Sequence, residues 1–309
     1  MKSGIVYRAT GSWYTVKSDG VFYPCRIRGK IRLEGSKSTN PVVVGDRVFF
    51  ELSKEARSSE GVILKIESRK NHLIRKSVNL SKQTHVIAAN IDVAFLVISL
   101  THPPTSTVFI DRFLVSAKAY EIPVVLVFNK IDLHTATDTK QFEILYDLYT
   151  RIGYPCEAVS AFNGIGIEKL RKWMQGNISV FSGHSGVGKS SLLNALAPTL
   201  DIATQAVSEK YQQGQHTTTF AEMYDLEGDI SIMDTPGIKG FGLAEMDAKD
   251  IGKYFPEFLD ALGSCKFYNC LHINEPECAV CSLLEEGLIA PSRYKSYLQM
   301  LKENPTHRK

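Results

Sequence analysis

No apolar run in this 309-residue sequence approaches the ~20 residues a membrane-spanning helix requires; the longest, Ile91 to Leu100, has the length of one buried strand. No membrane partner is expected. Met1-Lys2-Ser3-Gly4 has no apolar stretch of the kind that opens a secretory signal, so a reducing, cytoplasmic setting is expected and a disulfide framework is not. Internal repeats and low-complexity tracts are absent, which removes repeat architectures. No oligomerisation seam is visible, and a monomer is expected. A strong overall charge is also missing, at +3, but locally the balance is uneven. Residues 1–85 hold 17 Lys/Arg against 7 Asp/Glu, and residues 86–309 hold 19 against 26. A basic amino-terminal module on an acidic remainder points to a polyanion-binding part joined to something else.

What is present is a set of three nucleotide motifs in an unusual order. Asn129-Lys130-Ile131-Asp132 comes first, Gly183-His184-Ser185-Gly186-Val187-Gly188-Lys189-Ser190 follows 54 residues later, and Asp234-Thr235-Pro236-Gly237 is last. In an ordinary GTPase the phosphate loop leads and the base reader trails. The order here is that of a circularly permuted chain.

Each motif has a chemical reason. The phosphate loop follows the apolar Ile178 to Phe181 and precedes Ser191 to Leu196, so it joins a strand to a helix. Its glycines let backbone N–H groups turn toward phosphates at a helix N-terminus. Lys189 is placed to bridge β- and γ-phosphates, and Ser190 to hold Mg²⁺. Asp234 closes the strand Ile230 to Met233, where it can hold the Mg²⁺ shell through water, and the Gly237 N–H can meet the γ-phosphate. Asp132 can accept from guanine N1–H and the N2 amino group. Adenine lacks that donor pair and would leave the carboxylate unpaired, so GTP and GDP are expected rather than ATP. The Lys130 stem can lie over the base and Asn129 can tie the two loops together. Ser160-Ala161, after a short strand, fits the loop whose backbone contacts guanine O6.

A switch threonine for Mg²⁺ is expected in Gly214-Gln215-His216-Thr217-Thr218-Thr219, with Thr218 the choice. After Gly237, where a water-orienting glutamine would stand, the chain has Ile238. An apolar side chain cannot orient water, and His216 is the nearest imidazole in sequence to take that task.

Residues 1–68 read as five short strands, Ile5–Thr10, Trp13–Lys17, Val21–Ile27, Val42–Leu52 and Gly61–Ile66, separated by Gly/Ser/Asp turns. That pattern fits an OB-type barrel, a platform for single-stranded nucleic acid. Tyr7, Trp13, Tyr14, Phe22 and Tyr23 could stack on bases, although several must fill so small a core. Residues 69–85 read as a basic linker without an acidic residue, with Arg69, Lys70, Arg75, Lys76 and Lys82 as phosphate contacts. Residues 86–242 alternate strands and helices: Ile91–Leu100 with Asp111–Tyr120, Val124–Phe128 with Gln141–Ile152, and Cys156–Val159 with Glu168–Met174. This is the signature of a doubly wound α/β domain with ligands at the carboxyl ends of its strands. Residues 243–309 read as helical with a cysteine cluster. Cys265, Cys270, His272 and Cys278 could form a closed, structural Zn²⁺ site; on spacing alone a four-cysteine set using Cys281 is almost as good.

These motifs together (NKID at 129–132, GHSGVGKSS at 183–191, HTTT at 216–219, DTPGI at 234–238 and C-x4-C-x-H-x5-C at 265–278) resemble those of the ribosome small subunit-dependent GTPases. The resemblance covers nearly the whole chain. It implies an OB domain ahead of a permuted GTPase domain and a zinc domain behind. It implies zinc ligation by Cys265, Cys270, His272 and Cys278, use of GTP with Mg²⁺, and late-stage binding of the small ribosomal subunit and its rRNA with subunit-stimulated turnover. His184 stands where the family often has Gln, and Gln215 where a basic residue is common. Because the Asp234 switch runs almost directly into the carboxyl-terminal domain, γ-phosphate ordering of residues 205–220 and 234–245 is expected to reposition that domain. Two other readings stay open: an RNA-binding scaffold that binds nucleotide with little turnover, and a permuted GTPase serving another ribosomal particle.

Overall fold

A computed structural model describes residues 1–27, 41–53, 60–76, 84–197, 221–234 and 246–303. His216, Thr218, Gly237, Ile238 and Lys82 lie outside the described residues.

Eleven strands form one continuous sheet in the order β10-β9-β8-β11-β13-β12-β1-β2-β3-β5-β4. The first six are the nucleotide-domain half: β8 (Val93–Ile98), β9 (Val124–Phe128), β10 (Cys156–Ala158), β11 (Ile178–Ser182), β12 (Glu222–Leu226) and β13 (Ile230–Asp234). All pair in parallel except β12, which runs antiparallel to β13. The strand bearing the phosphate loop, β11, lies between β8 and β13, so two halves of the chain that are separated in sequence meet at the sheet centre. Reading β11, β12 and β13 ahead of β8, β9 and β10 leaves every strand in place and puts the phosphate loop before the base reader, the order of an ordinary GTPase, so the permutation is visible in the topology itself. Strands β8 and β9 are buried at every residue, as parallel strands covered on both faces must be.

Helices α1 (Thr107–Ala119) and α2 (Ala136–Arg151) cover one face, packing Ile110, Phe113, Leu114, Leu145 and Tyr149 on Leu96, Ile98, Leu126 and Phe128. Helices α3 (Ile167–Met174) and α4 (Lys189–Leu196) cover the other, setting Leu170, Met174, Leu192 and Leu193 against Phe95, Val97, Val125 and Phe181. The alternation of even and odd strand positions between these two cores is the period-2 rule acting on both faces. Ser106 caps α1, and Thr135 with Asp138 forms a reciprocal capping box on α2, which fixes where each helix leaves its ligand loop.

The remaining strands, β1 (Lys2–Thr10), β2 (Trp13–Ser18), β3 (Val21–Ile27), β4 (Arg47–Leu52) and β5 (Gly61–Ile66), close into a barrel through β1–β4 pairing, with β3 and β5 parallel. Val6, Val16, Cys25, Val48, Phe50 and Ile63 fill it. The aromatic set divides as so small a core requires. Tyr7 and Tyr14 are buried, so they are unavailable for base stacking, whereas Phe22 is 52% exposed. Tyr7 instead donates its hydroxyl to Asp225 Oδ1 on β12 (2.6 Å), Lys17 pairs with the same carboxylate, and Arg8 pairs with Glu222 (3.1 Å). The barrel is thus tied to the nucleotide domain by polar bonds as well as by the β1–β12 pairing.

The expected basic linker has structure of its own. β6 (His72–Lys76) and β7 (Thr84–Ala89) pair as an antiparallel ribbon. Arg69 is spent on Asp46 (2.7 Å), whose side chain is fully buried, and Lys70 on Asp92. The Arg69 charge, held on a buried carboxylate, is not free for phosphate, which corrects the reading of that residue as a contact; Lys70 stays half exposed at the surface. The sequence reading missed this because an arginine paired across 23 positions looks the same as a solvated one.

The carboxyl-terminal region is mostly short helices around Phe255, Phe258, Ile289, Tyr297 and Met300, ending in a long helix, Pro291–Glu303. Val115 of α1 belongs to the same cluster. Among the described residues, no helix is long and apolar enough to cross a membrane.

Candidate nucleotide site and metal cluster

Asn129, Ser160, Gly183 and Asp234 stand at or just beyond the carboxyl ends of β9, β10, β11 and β13, so parallel strands bring all four motif regions to one edge of the sheet. The two halves touch. Asn129 Nδ2 donates to the Val187 carbonyl (2.9 Å), and Lys130, held in the left-handed region at φ 64°, donates from Nζ to the carbonyls of Gly186 (2.7 Å) and His102 (2.6 Å). A lysine bridging the Gly186 carbonyl and the loop after β8 has its stem fixed between them.

Two glycines cannot be replaced without cost. A Cβ on Gly183 (φ 140°) would lie 2.5 Å from the Val97 carbonyl oxygen, and one on Gly188 (φ 99°) would lie 2.3 Å from Asn129 Nδ2. The second contact makes a glycine at position 188 a condition for Asn129 to sit where it does. Lys189 opens α4 and donates to the carbonyls of Gly183 (2.8 Å) and His184 (2.6 Å), so its ammonium lies over the mouth of the loop. Ser190 and Ser191 follow on the first turn of that helix, where its partial positive charge is greatest.

His184 is exposed in the loop but its ring lies 3.8 Å from that of Phe109 on α1, at 30°. Partial burial, then the charge of Lys189, pushes its imidazole below the ordinary histidine range. Ser185 and Gly186 are exposed at the loop's tip, and Val187 is buried beneath it.

On the base side, Ser160 donates its hydroxyl to Asp132 Oδ1, and the Ala161 N–H faces Asn129 Oδ1 at 3.4 Å. Ile131 begins the short 3-10 turn that carries Asp132 outward into solvent. The hydroxyl leaves the second carboxylate oxygen for a ligand. Spacing alone pointed to Ser160 for its backbone; its grip on Asp132 is a side-chain role that the short Ser-Ala signal did not carry.

The second cluster lies in the carboxyl-terminal region. The ligand atoms of Cys265, Cys270, His272 and Cys278 all lie within 4.8 Å of one another. His272 Nδ1 is 3.6 Å from Cys265 Sγ and 3.4 Å from Cys278 Sγ, and the two sulfurs are 4.0 Å apart. Edges of a tetrahedron built on Zn–S bonds of ~2.3 Å and a Zn–N bond of ~2.05 Å are about 3.8 Å (S···S) and 3.6 Å (S···N), so the donor set fits that ion. Cys281 lies beside these four donors without converging with them, its sulfur 3.8 Å from the His272 carbonyl and 3.9 Å from Tyr294 Oη. The geometry brings together the three-cysteine, one-histidine set and leaves Cys281 outside it.

The support around this cluster was not legible in the sequence. The Glu275 carboxylate accepts from the N–H groups of Leu271 (2.8 Å), Ile273 (2.8 Å) and Asn274 (3.1 Å), and these bonds hold it below the usual carboxylate range against the opposing effect of burial. Tyr297 and Tyr294 bond the carbonyls of Leu271 and His272 (both 2.7 Å), which fixes His272 at its positive φ of 56°.

A third feature joins this region to the nucleotide domain. Arg293 is completely buried; its guanidinium bonds Asp111 Oδ1 of α1 (2.6 Å) and forms a fork with Glu257 (2.6 and 3.1 Å), while Tyr149 of α2 donates to the same Asp111 oxygen (2.7 Å).

Comparison with known proteins bears on these features. The RsgA N-terminal domain model matches residues 3–63, and the RsgA GTPase model matches residues 66–244. The chain is 57% identical over 299 residues to a small ribosomal subunit biogenesis GTPase RsgA of Christiangramia forsetii, covering 96% of this chain and 95% of that one. It is 53% identical over 306 residues to the same-named protein of Flavobacterium johnsoniae (99% and 94% covered). Among solved structures it is similar to YjeQ from Thermotoga maritima, with TM-score 0.80 and 36% identity over 98% of both chains. It is also similar to YloQ, a circularly permuted GTPase, with TM-score 0.75 and 30% identity over 98% of this chain and 94% of that one.

Proposed function

Because the chain belongs to the RsgA GTPase family, we propose that it hydrolyses GTP as an assembly factor of the small ribosomal subunit, binding rRNA and turning over faster on the subunit. The observation that carries the reading is the contact between the two nucleotide loops, in which Asn129, Lys130 and Gly188 join base reader and phosphate loop into one site.

In this reading Asp132 pairs with guanine N1–H and N2, the Ala161 N–H with O6, and the Lys130 stem lies along one face of the base. Backbone N–H groups from His184 to Ser191 enclose the phosphates, and Lys189 leaves its carbonyl partners to bridge the β- and γ-phosphates as negative charge arrives. Ser190, Thr218 and, through water, Asp234 are the residues that would hold Mg²⁺, which neutralises charge on the β- and γ-oxygens. His216 orients the attacking water, since Ile238 cannot, and the Gly237 N–H meets the γ-phosphate. Cys265, Cys270, His272 and Cys278 would hold a structural Zn²⁺, since four protein donors would leave it no open position for chemistry.

Residues 1–68 act as the rRNA-facing barrel, 86–242 as the hydrolytic domain and 243–309 as the zinc-bearing domain, with the linker of residues 69–85 between the first two. The barrel is bonded to β12, and β12 and β13 are flanked by the two switch segments, so occupancy of the γ-phosphate position is transmitted to RNA-facing surface on both sides. The GTP form binds the subunit and hydrolysis releases it.

The test is multiple-turnover GTP hydrolysis titrated with purified small and large subunits. Stimulation by the small subunit alone is expected. No stimulation favours a nucleotide-binding scaffold, and stimulation by the large subunit favours a different particle. A nonhydrolysable GTP analogue should raise affinity for the small subunit over GDP, and equal affinities reject the release step.

A further inference from the structure

Phe162 is 92% exposed, and among the described residues it joins no apolar cluster. It is nevertheless held firmly. The Ser160 N–H donates to the Ile165 carbonyl (2.9 Å), the Gly164 N–H to the Ser160 carbonyl (3.0 Å) and the Asn163 N–H to Ser160 Oγ (3.4 Å), closing a turn with Phe162 at its tip. The same Ser160 hydroxyl holds Asp132, and the neighbouring Ala161 N–H faces Asn129. A phenyl ring left in water on a rigid turn, one residue from the amide assigned to O6 and two from the hydroxyl that holds the guanine-reading carboxylate, has no packing partner among the described residues. The flat apolar surface nearest to hand is the ligand's own base.

We propose that Phe162 is the aromatic platform of the nucleobase site, stacking on the guanine face opposite the Lys130 stem. The inference rests on the guanine-nucleotide reading above. Lys130 has its ammonium anchored on the Gly186 and His102 carbonyls, so one wall of the base slot is fixed by the protein, and Phe162 supplies the other. Stacking on an aromatic ring tolerates any purine. Phe162 therefore contributes affinity, while Asp132 contributes the choice of guanine.

The experiment uses the full-length chain with GDP as the probe. Phe162→Ala should weaken GDP binding about tenfold by calorimetry, the usual scale for one lost base–aromatic stack. Its preference for GDP over ADP should stay unchanged. Phe162→Trp, read against the parent's two tryptophans, should be quenched by GDP and not by inorganic pyrophosphate. GDP affinity within twofold of the parent in Phe162→Ala overturns the proposal, whether or not subunit binding falls. A Phe162→Trp signal that pyrophosphate moves as far as GDP overturns it too. Asp132→Asn separates the two claims. Lost GDP affinity there with none in Phe162→Ala removes only the stacking role, and unchanged affinity in both removes the guanine reading itself.

Discussion

Replacing Arg293 with methionine should be among the most damaging single changes outside the ligand loops. The side chain is fully buried and holds two carboxylates, one on α1 and one in the carboxyl-terminal region, while its guanidinium lies 4.5 Å from the Phe255 ring. Removing it leaves Asp111, at 0% side-chain exposure, and Glu257, at 7%, without their cation. Breaking a buried pair from one side costs about 3–5 kcal/mol, because the remaining charge is desolvated and uncompensated. For the roughly 200-residue unit formed by the nucleotide domain and the carboxyl-terminal region, that corresponds to a fall in Tm of about 6–20 °C. The penalty should depend on pH with a definite sign. Burial raises the Asp111 carboxyl above its ordinary range, and Arg293 is the first of the groups that pull it back. Without the arginine the folded-state value rises further, so the folded variant binds a proton more readily than the unfolded chain. Its stability then falls as pH rises above the ordinary carboxylate value of ~3.9 and through the raised one. The Arg293→Met deficit should thus be smaller at pH 5 than at pH 8 in differential scanning calorimetry. A triple variant, Arg293→Met with Asp111→Leu and Glu257→Leu, should recover most of the loss, since an apolar replacement of a buried ion network is close to neutral. A deficit under about 1 kcal/mol for the single variant, or a triple variant no better than the single, would refute the reasoning.

Three other outcomes follow from contacts at the sites. Gly188→Ala forces a Cβ to within 2.3 Å of Asn129 Nδ2 at a φ of 99°, so backbone strain and the lost Asn129–Val187 bond together should weaken GDP binding on the order of 100-fold by calorimetry, with little change in far-UV circular dichroism. Cys278→Ser should lower bound zinc from about one equivalent per chain toward none by elemental analysis, whereas Cys281→Ser should leave it unchanged, since Cys281 stands outside the four converging donors. Lys17→Ala removes the partner of Asp225 at the barrel junction; because the pair is about a third exposed, it should cost only about 0.5–1 kcal/mol in urea unfolding while still loosening protease protection of the barrel.

Much of this molecule was legible because its chemistry is local. A phosphate loop needs a strand, a few glycines and a helix N-terminus within a dozen residues, and β11, Gly183 to Gly188 and α4 supply them in that order. The NKID reader and the zinc-type spacing are equally self-contained, and once their order was noticed the permuted sheet followed from the rule that ligands gather at strand carboxyl ends. What stayed hidden depends on partners far away along the chain. Arg293 reads as one more cation on an amphipathic helix until the fold brings Asp111 to it from 182 positions upstream. Arg69 reads as a phosphate contact until the buried Asp46 neutralises it. Glu222 to Leu226, with two acidic residues in five, has little strand character by composition, and it becomes β12 because β13 and β1 pair with it from either side. Tyr7 and Tyr14 looked like base platforms by type, but Tyr14 fills the barrel core and Tyr7 is buried at the junction, packed in the nucleotide-domain cluster and bonded to Asp225.

The central claim is that a base reader and a phosphate binder, inverted along the chain, serve one nucleotide. It is tested most directly by exchanging the base. Asp132→Asn presents an amide where guanine offers donors, and it suits xanthine, whose C2 carbonyl replaces the amino group. Hydrolysis should therefore pass from GTP to XTP in that variant, and Lys189→Ala added to it should abolish turnover of both. An Asp132→Asn protein that keeps its GTP preference, or an added Lys189→Ala change that leaves XTP turnover intact, would contradict the account.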